Sequence, residues 1–441
     1  MNMVDKWLAE RRRSTHLSVR PIPWSKSNEW QFVDGALCHR SGRFFSVVGA
    51  RVQSSIKWLD GAEFPIINQP EIGTLGFLCN PAGTSPRWLV QAKAEPGNQC
   101  GVQLAPSVQA TLSNAARVHG GRPTTHLDLF RKESGVFESD SLQSEQGTRF
   151  LNKYNRNAIR RVGCDIEPGG DLWRWYAAED LRRALALDYT VNTDARSVIA
   201  TGPWRLIADG GEPFAERKGE SEFRRLMRMS YEPAVQGSVA DIAEPMALLH
   251  RLRASNQVAC VPCPLTDLRE WVIGHDHIRC QSESNEFDVA DYEVEAPDRE
   301  VQRWDQPLVR SLRQEEVIIF ARVVGERLEF LLRGSFEPGF DAAVQFGPSY
   351  QSSIPAPPIL ADIVASGAYV SRMSLMQSDE GGRFIDSRVR YRICELSSDV
   401  QPIVDPEGVW VDLAQFEMLC RQSGVVTNEV RSAASLVLSE A

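Results

Sequence analysis

The sequence predicts an α/β fold of the α+β kind, with mixed sheets, in two tandem domains that arose by internal duplication. Its 441 residues exceed what a single hydrophobic core usually supports. Residues 89–111 match residues 331–353 at nine of 23 positions under a constant offset of 242, where average composition would give roughly one or two matches. In both halves, short β-rich segments alternate with segments of helical spacing.

The repeat extends beyond these two stretches and keeps the same order along both halves. The further matching blocks are 21–30 with 262–271, 44–52 with 286–294, 144–159 with 378–393, and 191–197 with 426–432. A polar connector, residues 206–245, separates the two copies. We therefore predict a first domain over residues 1–205 and a second over residues 246–441, each large enough to bury its own core.

Local patterns predict the elements of each copy. Strands are expected where β-rich segments end at Gly, Pro or Asn, namely at residues 30–37, 45–52, 73–79, 87–95 and 101–104. The turn signal EPGN at 95–98 predicts a hairpin between the last two strands. Helical spacing predicts helices over residues 107–118 and 173–187, and residues 413–423 take the place of the latter in the second copy.

Composition and charge exclude several classes of protein. A net charge of −9 and a pI near 5.5 argue against a general nucleic-acid binder. The N-terminal residues lack the apolar stretch of a signal peptide, and no run of about 18 apolar residues predicts a membrane span. Nine cysteines without a secretion signal indicate reduced thiols, so we expect a cytoplasmic protein.

The sequence predicts neither a metal nor a nicotinamide cofactor. It contains no GxGxxG after a strand, no GxxxxGK[ST], no GxSxG and no HExxH. Cys260, Cys263, His277 and Cys280 have a spacing that could hold zinc. However, the two leading cysteines align with Val19 and Ile22 in the first copy, which indicates small buried apolar positions.

The strand at residues 89–95 is the strongest local candidate for a site. Because side chains alternate along a strand, Gln91, Lys93 and Glu95 share one face, while Val90 and Ala92 face the core. An amide, a cation and a carboxylate in a row can hold a polar ligand and move a proton. The alternative is a solvated Lys–Glu pair on the surface, which is common and weak. Neutral polar side chains follow the turn at Gln103, Gln109, Thr111 and Asn114.

The segment GFLCNPAGTSPRWLVQAKAEPGNQCGVQLAPSVQATLSNAARVHGG resembles the signature of the NDP-hexose 2,3-dehydratases. The resemblance runs along the chain and includes VRPIPW, SVVGARVQ and RFLNKYNRNAIRRV. It implies two Nudix-like domains per chain and a homodimer. Neither copy contains a Nudix box, so the metal-dependent hydrolysis of Nudix enzymes does not follow from the fold.

The resemblance implies a lyase that removes water across C2–C3 of dTDP-4-keto-6-deoxy-D-glucose in deoxysugar and antibiotic biosynthesis. The product is a 3,4-diketo-2,6-dideoxy sugar nucleotide, which a partner NADPH-dependent 3-ketoreductase would consume. No external hydride carrier is needed, because C3 is oxidised while C2 is reduced. Two alternatives stay open at this point: a nucleotide-sugar-binding protein without catalysis, and a residual Nudix-type hydrolase.

Residues present in only one copy are the candidates for chemistry, because shared residues serve the fold or the nucleotide. Lys93 aligns with Ser335 of the second copy, so we predict that the first copy is catalytic and the second is degenerate. Lys93 could donate to the C4 oxyanion or transfer the C3 proton, and a histidine could protonate the leaving hydroxyl. The candidate catalytic residues are Lys93, Glu95, His119 and His126. The candidate substrate-binding residues are Gln91, Asn98, Gln103, Gln109, Thr111, Asn114, Arg51 and Arg149.

Overall fold

The chain folds as a mixed α/β protein with four mixed sheets: helices pack against the two large sheets, and the two small sheets pack against each other through a separate core. The computed structural model describes residues 3–111, 123–132, 135–163, 166–235, 240–282, 286–297 and 301–441. The sequence prediction of a mixed α/β chain is therefore confirmed. No helix among these residues is both long and apolar enough to cross a membrane.

The elements follow one another in the same order in both halves. The strands of the first half are β1 Ser18–Ile22, β2 Trp30–Val33, β3 Ala36–His39, β4 Ser46–Ser54, β5 Glu63–Asn68, β6 Gly73–Asn80, β7 Arg87–Ala94, β8 Val102–Ala105, β9 Val108–Ala110, β10 Phe137–Ser144, β11 Phe150–Leu151, β12 Tyr154–Arg161 and β13 Trp173–Ala177. Those of the second half are β14 Val258–Cys263, β15 Trp271–Ile273, β16 His277–Cys280, β17 Phe287–Glu295, β18 Arg303–Ser311, β19 Glu315–Val324, β20 Arg327–Phe336, β21 Val344–Gly347, β22 Tyr350–Gln351, β23 Tyr369–Gln377, β24 Phe384–Ile385, β25 Val389–Leu396 and β26 Gly408–Val411. The described α-helices are α1 Met3–Ser14, α2 Leu127–Arg131, α3 Ala178–Leu185, α4 Thr193–Thr201, α5 Glu222–Val235, α6 Ala243–Ser255, α7 Pro358–Ser366, α8 Leu413–Arg421 and α9 Asn428–Val437.

The two large sheets have the same strand order. In the first half it is β10-β12-β6-β7-β13, with β8 paired to β7 and β9 paired to β6. In the second half it is β23-β25-β19-β20-β26, with β21 paired to β20 and β22 paired to β19. One pair in each sheet is parallel, β12 with β6 and β25 with β19. The repeat in the sequence therefore corresponds to a repeat in topology.

The two small sheets exchange their first strands. The order β2-β3-β4-β5-β11 matches β15-β16-β17-β18-β24. However, β1 from the first half pairs with β17, and β14 from the second half pairs with β4. Each half thus supplies one strand to the small sheet of the other half.

Helices α4 and α9 form the centre of the molecule and are buried along their whole length. Each begins at a residue whose side chain accepts a hydrogen bond from the first turn, Asn192 for α4 and Thr427 for α9. Arg196 donates to Ser435 at 3.0 Å, and Arg431 donates to Ser197 at 2.8 Å. These buried, hydrogen-bonded cations hold the two halves together.

Several predicted elements are confirmed, and others need correction. Strands near 45–52, 73–79, 87–95 and 101–104 are present, and the turn after residue 94 joins β7 to β8 as an antiparallel hairpin. The predicted strand at 30–37 is two strands, β2 and β3. The chain reverses between them at Asp34 and Gly35, which have φ of 50° and 77°.

The two predicted helices are partly wrong. Residues 108–110 form β9, because they pair with β6 and complete the large sheet; residues 112–122 lie outside the described part of the chain. Residues 173–177 form β13 beside β7, and only Ala178–Leu185 is helical. In both cases sheet pairing overrides the local helical spacing.

Candidate active site

The end of β7 carries a buried ion pair between Lys93 and Glu95. Lys93 Nζ lies 3.0 Å from Glu95 Oε1, and the two side chains are 14% and 6% exposed. Val90 and Ala92 face the main hydrophobic core, as predicted from the alternation along the strand. The alternative of a solvated surface pair is therefore wrong, because both side chains are largely buried.

Neutral polar side chains surround this ion pair. Gln109 Nε2 donates to Glu95 Oε1 at 3.0 Å, and Gln109 Oε1 accepts from Asn192 Nδ2 at 3.2 Å. The site is thereby connected to the first turn of α4, which Asn192 caps. Gln103 is paired with Lys93 across β7 and β8, and Asn98 Nδ2 donates to the Lys93 carbonyl at 3.2 Å.

A loop of the second half closes the site. Gly97 N donates to the Gly381 carbonyl at 2.8 Å, and Gln103 Nε2 donates to Ser378 Oγ at 3.3 Å. A Cβ at Gly97 would lie 1.5 Å from the Phe384 carbonyl oxygen, so the contact requires glycine. This loop also brings Glu380 to the site. We refer to Lys93, Glu95, Gln103, Gln109 and Glu380 as the first cluster.

Burial and like charges raise the pKa of two carboxyl groups at this place, Glu380 and Asp194. Burial, with Glu95 as the next cause, raises the pKa of Glu380 to about 7. Burial, with Glu380 as the next cause, holds the pKa of Asp194 well above its ordinary value. Asp194 lies in the first turn of α4, beside Asn192. Perturbed carboxyl groups of this kind are typical of sites that transfer protons.

Two buried acceptor atoms of the site have no hydrogen-bond donor among the described residues. They are Glu95 Oε2 and Asn98 Oδ1. Glu95 is only 5% exposed, so an unpaired oxygen there costs stability unless a ligand or water satisfies it. Both atoms belong to the strand end and turn that carry Lys93.

The second half contains an equivalent arrangement, the second cluster, made of Ser335, Glu337, Gln345, Gln351 and Gln146. Glu337 directly follows β20, as Glu95 follows β7. A loop of the first half closes this cluster, because Gly339 N donates to the Gly147 carbonyl at 2.7 Å. A Cβ at Gly339 would lie 1.9 Å from the Phe150 carbonyl oxygen.

The hydrogen bonds of the second cluster repeat those of the first only in part, because Gln351 donates to Glu315 Oε1 at 2.8 Å, whereas Gln109 donates to Glu95. Ser144 Oγ donates to Gln345 Oε1 at 2.7 Å, as Ser378 contacts Gln103. Ser335 Oγ donates to Glu337 Oε1 at 3.3 Å, at the position where Lys93 contacts Glu95. Burial, with Glu429 as the next cause, holds the pKa of Glu337 well above its ordinary value.

The comparison with known proteins decides the family. A sequence profile described as NDP-hexose 2,3-dehydratase matches residues 1–201 and 243–437. The chain belongs to the NDP-hexose 2,3-dehydratase family. Proteins named dTDP-4-dehydro-6-deoxy-alpha-D-glucopyranose 2,3-dehydratase are similar to it along nearly its full length. The one from Saccharopolyspora spinosa is 30% identical over 97% of this chain and 89% of the relative, and the one from Amycolatopsis orientalis is 31% identical over 97% and 88%.

In this chain of the dehydratase family, the remaining predicted residues lie in different places. Gln91 lies in β7, opposite Trp173 and Ala105, and Thr111 directly follows β9. His126 Nε2 is 2.8 Å from the Pro168 carbonyl, and its ring contacts the edge of Trp173. His119 and Asn114 lie outside the described residues, so their roles stay predictions.

The two predicted arginines do not join the first cluster. Arg51 lies in the small sheet, where it donates to Glu63 at 3.1 Å and to the Asp267 carbonyl at 2.6 Å. Arg149 lies in the loop that closes the second cluster, and its guanidinium stacks 4.1 Å from the Phe287 ring centre. Their part in nucleotide binding stays a prediction.

Sequence reasoning missed three charged residues: Glu380 and Asp194, which interact with the charge of Lys93, and Lys153, which interacts with the charge of Glu380. Lys153 is 5% exposed, and its ammonium donates to the Glu71 carbonyl. Burial lowers the pKa of Lys153, and Glu145, the next cause, raises it. A comparison of the two copies could have found two of them, because Lys153 aligns with Ser387, and Glu380 with Gln146, in one of the repeated blocks.

Within the described part of the chain, no three His, Cys, Asp or Glu side chains converge on a position that could hold a metal ion. Cys260 and Cys263 lie on β14, paired to β4, while His277 and Cys280 lie on β16 in the other small sheet. The zinc spacing in the sequence therefore does not correspond to a site among these residues.

Proposed function

We propose that this chain removes water across C2–C3 of dTDP-4-keto-6-deoxy-D-glucose and releases a 3,4-diketo-2,6-dideoxy sugar nucleotide. The observation that carries the proposal is the first cluster, a buried cation beside carboxyl groups, in a chain of this family. The names of the relatives describe the same 2,3-dehydration.

The reaction needs three roles and no external oxidant. A base removes the hydrogen on C3, and the electron pair forms an enolate with the C4 oxygen. When the carbonyl re-forms, the C2–O bond breaks, and an acid supplies the proton with which the hydroxyl leaves as water. The resulting enol takes a proton at C2 and loses one from the C3 hydroxyl. C3 is thereby oxidised and C2 is reduced.

Lys93 suits the stabilisation of negative charge on the C4 oxygen. Its ammonium is held in a site that is largely shielded from water, where a charge interacts more strongly than in solution. Glu95 orients this ammonium through the 3.0 Å contact, and Gln109 orients Glu95 in turn. Gln103, Asn98 and the other predicted polar residues would hold the sugar and nucleotide.

Two further properties belong to the proposal. The common strand order of the two large sheets supports a duplicated domain, which we propose is Nudix-like, with residues 1–205 as the catalytic copy and 246–441 as the degenerate copy. We also propose a cytoplasmic homodimer. Its unstable dicarbonyl product would be consumed by a separate NADPH-dependent 3-ketoreductase.

Mass spectrometry of the reaction mixture tests the function. The protein is incubated with the 4-keto sugar nucleotide in the presence of o-phenylenediamine, which condenses with adjacent dicarbonyls. We expect a trapped product that has lost one water from the sugar. Unchanged substrate with measurable affinity would indicate a binding protein, and release of dTMP would indicate a hydrolase.

A further inference from the structure

The two clusters differ in charge at two positions that come from opposite halves of the chain. Lys93 of the first cluster corresponds to Ser335 of the second, and Glu380 corresponds to Gln146. The glutamates Glu95 and Glu337 are present in both. Because each cluster takes its strand end from one half and its closing loop from the other, both single-copy charged residues fall in the first cluster.

The closing loop holds Glu380 in a defined place. Gly381, the next residue, accepts a hydrogen bond from Gly97 N at 2.8 Å, and a Cβ at Gly381 would lie 3.0 Å from the Glu95 Cβ. Glu380 Oε1 accepts from Gly382 N at 2.9 Å, which fixes the carboxylate relative to its own loop. The side chain is therefore positioned by the contact between the halves.

The burial of Glu95 and its unpaired oxygen atom are a second indication of a ligand at this place. It is 5% exposed, and its Oε2 has no hydrogen-bond donor among the described residues. A Cβ at Gly381 would lie 3.0 Å from the Glu95 Cβ, so the loop residue next to Glu380 touches Glu95, and the charge of Glu95 is the largest cause, after burial, of the raised pKa of Glu380. A bound hydroxyl group would satisfy the free oxygen of Glu95.

We propose that Glu380, supplied by the second half, is the acid–base group of the site that contains Lys93. The inference rests on the proposed dehydration. Glu380 takes the proton from C3, while the electron pair moves to the C4 oxygen beside Lys93. The protonated carboxyl group then returns this proton to the C2 oxygen as the C2–O bond breaks, and water leaves. In the D-gluco configuration the C3 hydrogen and the C2 hydroxyl lie on the same face of the ring, so one carboxyl group can serve both steps.

The electrostatics agree with this role. With a pKa near 7, Glu380 is present in both its neutral and its ionised form at neutral pH, which suits a group that both accepts and donates a proton. Gln146, at the equivalent position, donates to Asp379 Oδ1 at 2.7 Å and cannot transfer a proton in this way. At the positions that align with Lys93 and Glu380, the second cluster therefore has neither a cation nor a carboxyl group.

The test compares Glu380→Gln with the wild type, with Lys93→Ala and with Ser335→Ala, a control variant in the second cluster. We expect Glu380→Gln to lower kcat by about 10²–10⁴-fold with little change in KM, and Ser335→Ala to stay within about threefold of the wild type. Binding of dTDP, measured by calorimetry, is expected to persist in Glu380→Gln, which shows that the variant is folded. Formate is expected to restore part of the turnover of Glu380→Ala but none of that of Lys93→Ala.

The outcomes separate this inference from the proposed function. If the wild type releases water and Lys93→Ala does not, while Glu380→Gln stays within about threefold of the wild type, Glu380 is not the acid–base group. If the wild type releases no water at all, the proposed function fails and this inference fails with it.

Discussion

The first and second clusters share a framework of glutamate, glutamine and glycine, and they differ in what neutralises the glutamate. In the first, Lys93 lies 3.0 Å from Glu95. In the second, Ser335 takes the place of the lysine, and burial keeps the pKa of Glu337 well above its ordinary value. Glu337 accepts hydrogen bonds from Thr148 N and Ser335 Oγ in place of an ion pair, so the first cluster pairs its buried glutamate with a cation and the second favours the neutral form. The difference teaches that the framework serves the contact between the halves, while charge distinguishes the cluster that we propose is catalytic.

The largest expected effect comes from removing the lysine of the first cluster. Lys93→Ala should lower turnover by about 10²–10⁴-fold, because the C4 oxyanion loses its donor. Steady-state kinetics of the dehydration measures this loss. Ser335→Ala is the matched control, and Glu337→Ala is a second one; both should leave turnover nearly intact. A greater loss in Ser335→Ala or Glu337→Ala than in Lys93→Ala would move the active site to the second cluster.

Gly97 and Gly339, at which each strand end contacts the closing loop of the other half, test the framework that the two clusters share. A Cβ at Gly97 or Gly339 would overlap a backbone carbonyl of the other half, so each alanine variant should lower the free energy of unfolding by about 2–4 kcal/mol. Chemical denaturation followed by fluorescence measures the change. Equal stability of Gly97→Ala and the wild type would mean that the contact between the halves is not tight. Only Gly97→Ala should also lower kcat beyond what the loss of stability explains.

Arg149 and Arg383 sharpen the comparison for nucleotide binding. The two are equivalent in the repeat, and each stacks on a phenylalanine of the other half, 4.1 Å from Phe287 and 4.2 Å from Phe45. If Arg149 contacts a phosphate, Arg149→Ala should weaken dTDP binding about tenfold in calorimetry. Unchanged affinity would remove Arg149 from the site, and a loss confined to Arg383→Ala would place the nucleotide at the first cluster.

The smallest effect concerns a buried acid that only the second half has. Asp291 is fully buried on β17, near Asp305 and Glu29, where the first half has Gly49; burial raises its pKa to about 7. The folded protein binds this proton more tightly than the unfolded chain, so stability falls as the pH rises from about 4 to about 7. Asp291→Asn should raise the Tm by about 2–4 °C at pH 7.5 and change it little at about pH 4, below which the carboxyl group is protonated in both states. A lower Tm at pH 7.5 would show that the ionised form is stabilised.

Much of the framework could be predicted from the sequence. The repeat identified the positions that both copies share, and the alternation along β7 and the EPG turn are local features that a sequence shows directly. The alternation placed Lys93 and Glu95 on one face, and in the structure Lys93 Nζ lies 3.0 Å from Glu95 Oε1. The helix predicted at 107–118 was partly wrong, because the pairing of β9 with β6 depends on residues far away in the chain. Local spacing does not contain that information.

The closing loops explain why the sequence could not identify the whole first cluster. Comparing the two copies finds residues that differ, but it assigns each to its own copy. Glu380 belongs to the second copy by sequence and to the first cluster by position, since the loops cross between the halves. The exchange of β1 and β14 has the same character, because a swapped strand keeps its local pattern while it changes partner.

A double-mutant cycle of Lys93 and Glu380 tests the central claim, that the two halves form one catalytic site, most directly. The turnover of Lys93→Ala, Glu380→Gln and the double variant is compared with that of the wild type. Groups that act on one substrate as a unit have strongly non-additive effects. We predict that the double variant loses about as much turnover as the more impaired single variant. Losses that multiply would contradict a shared site and would mean that the two residues act independently.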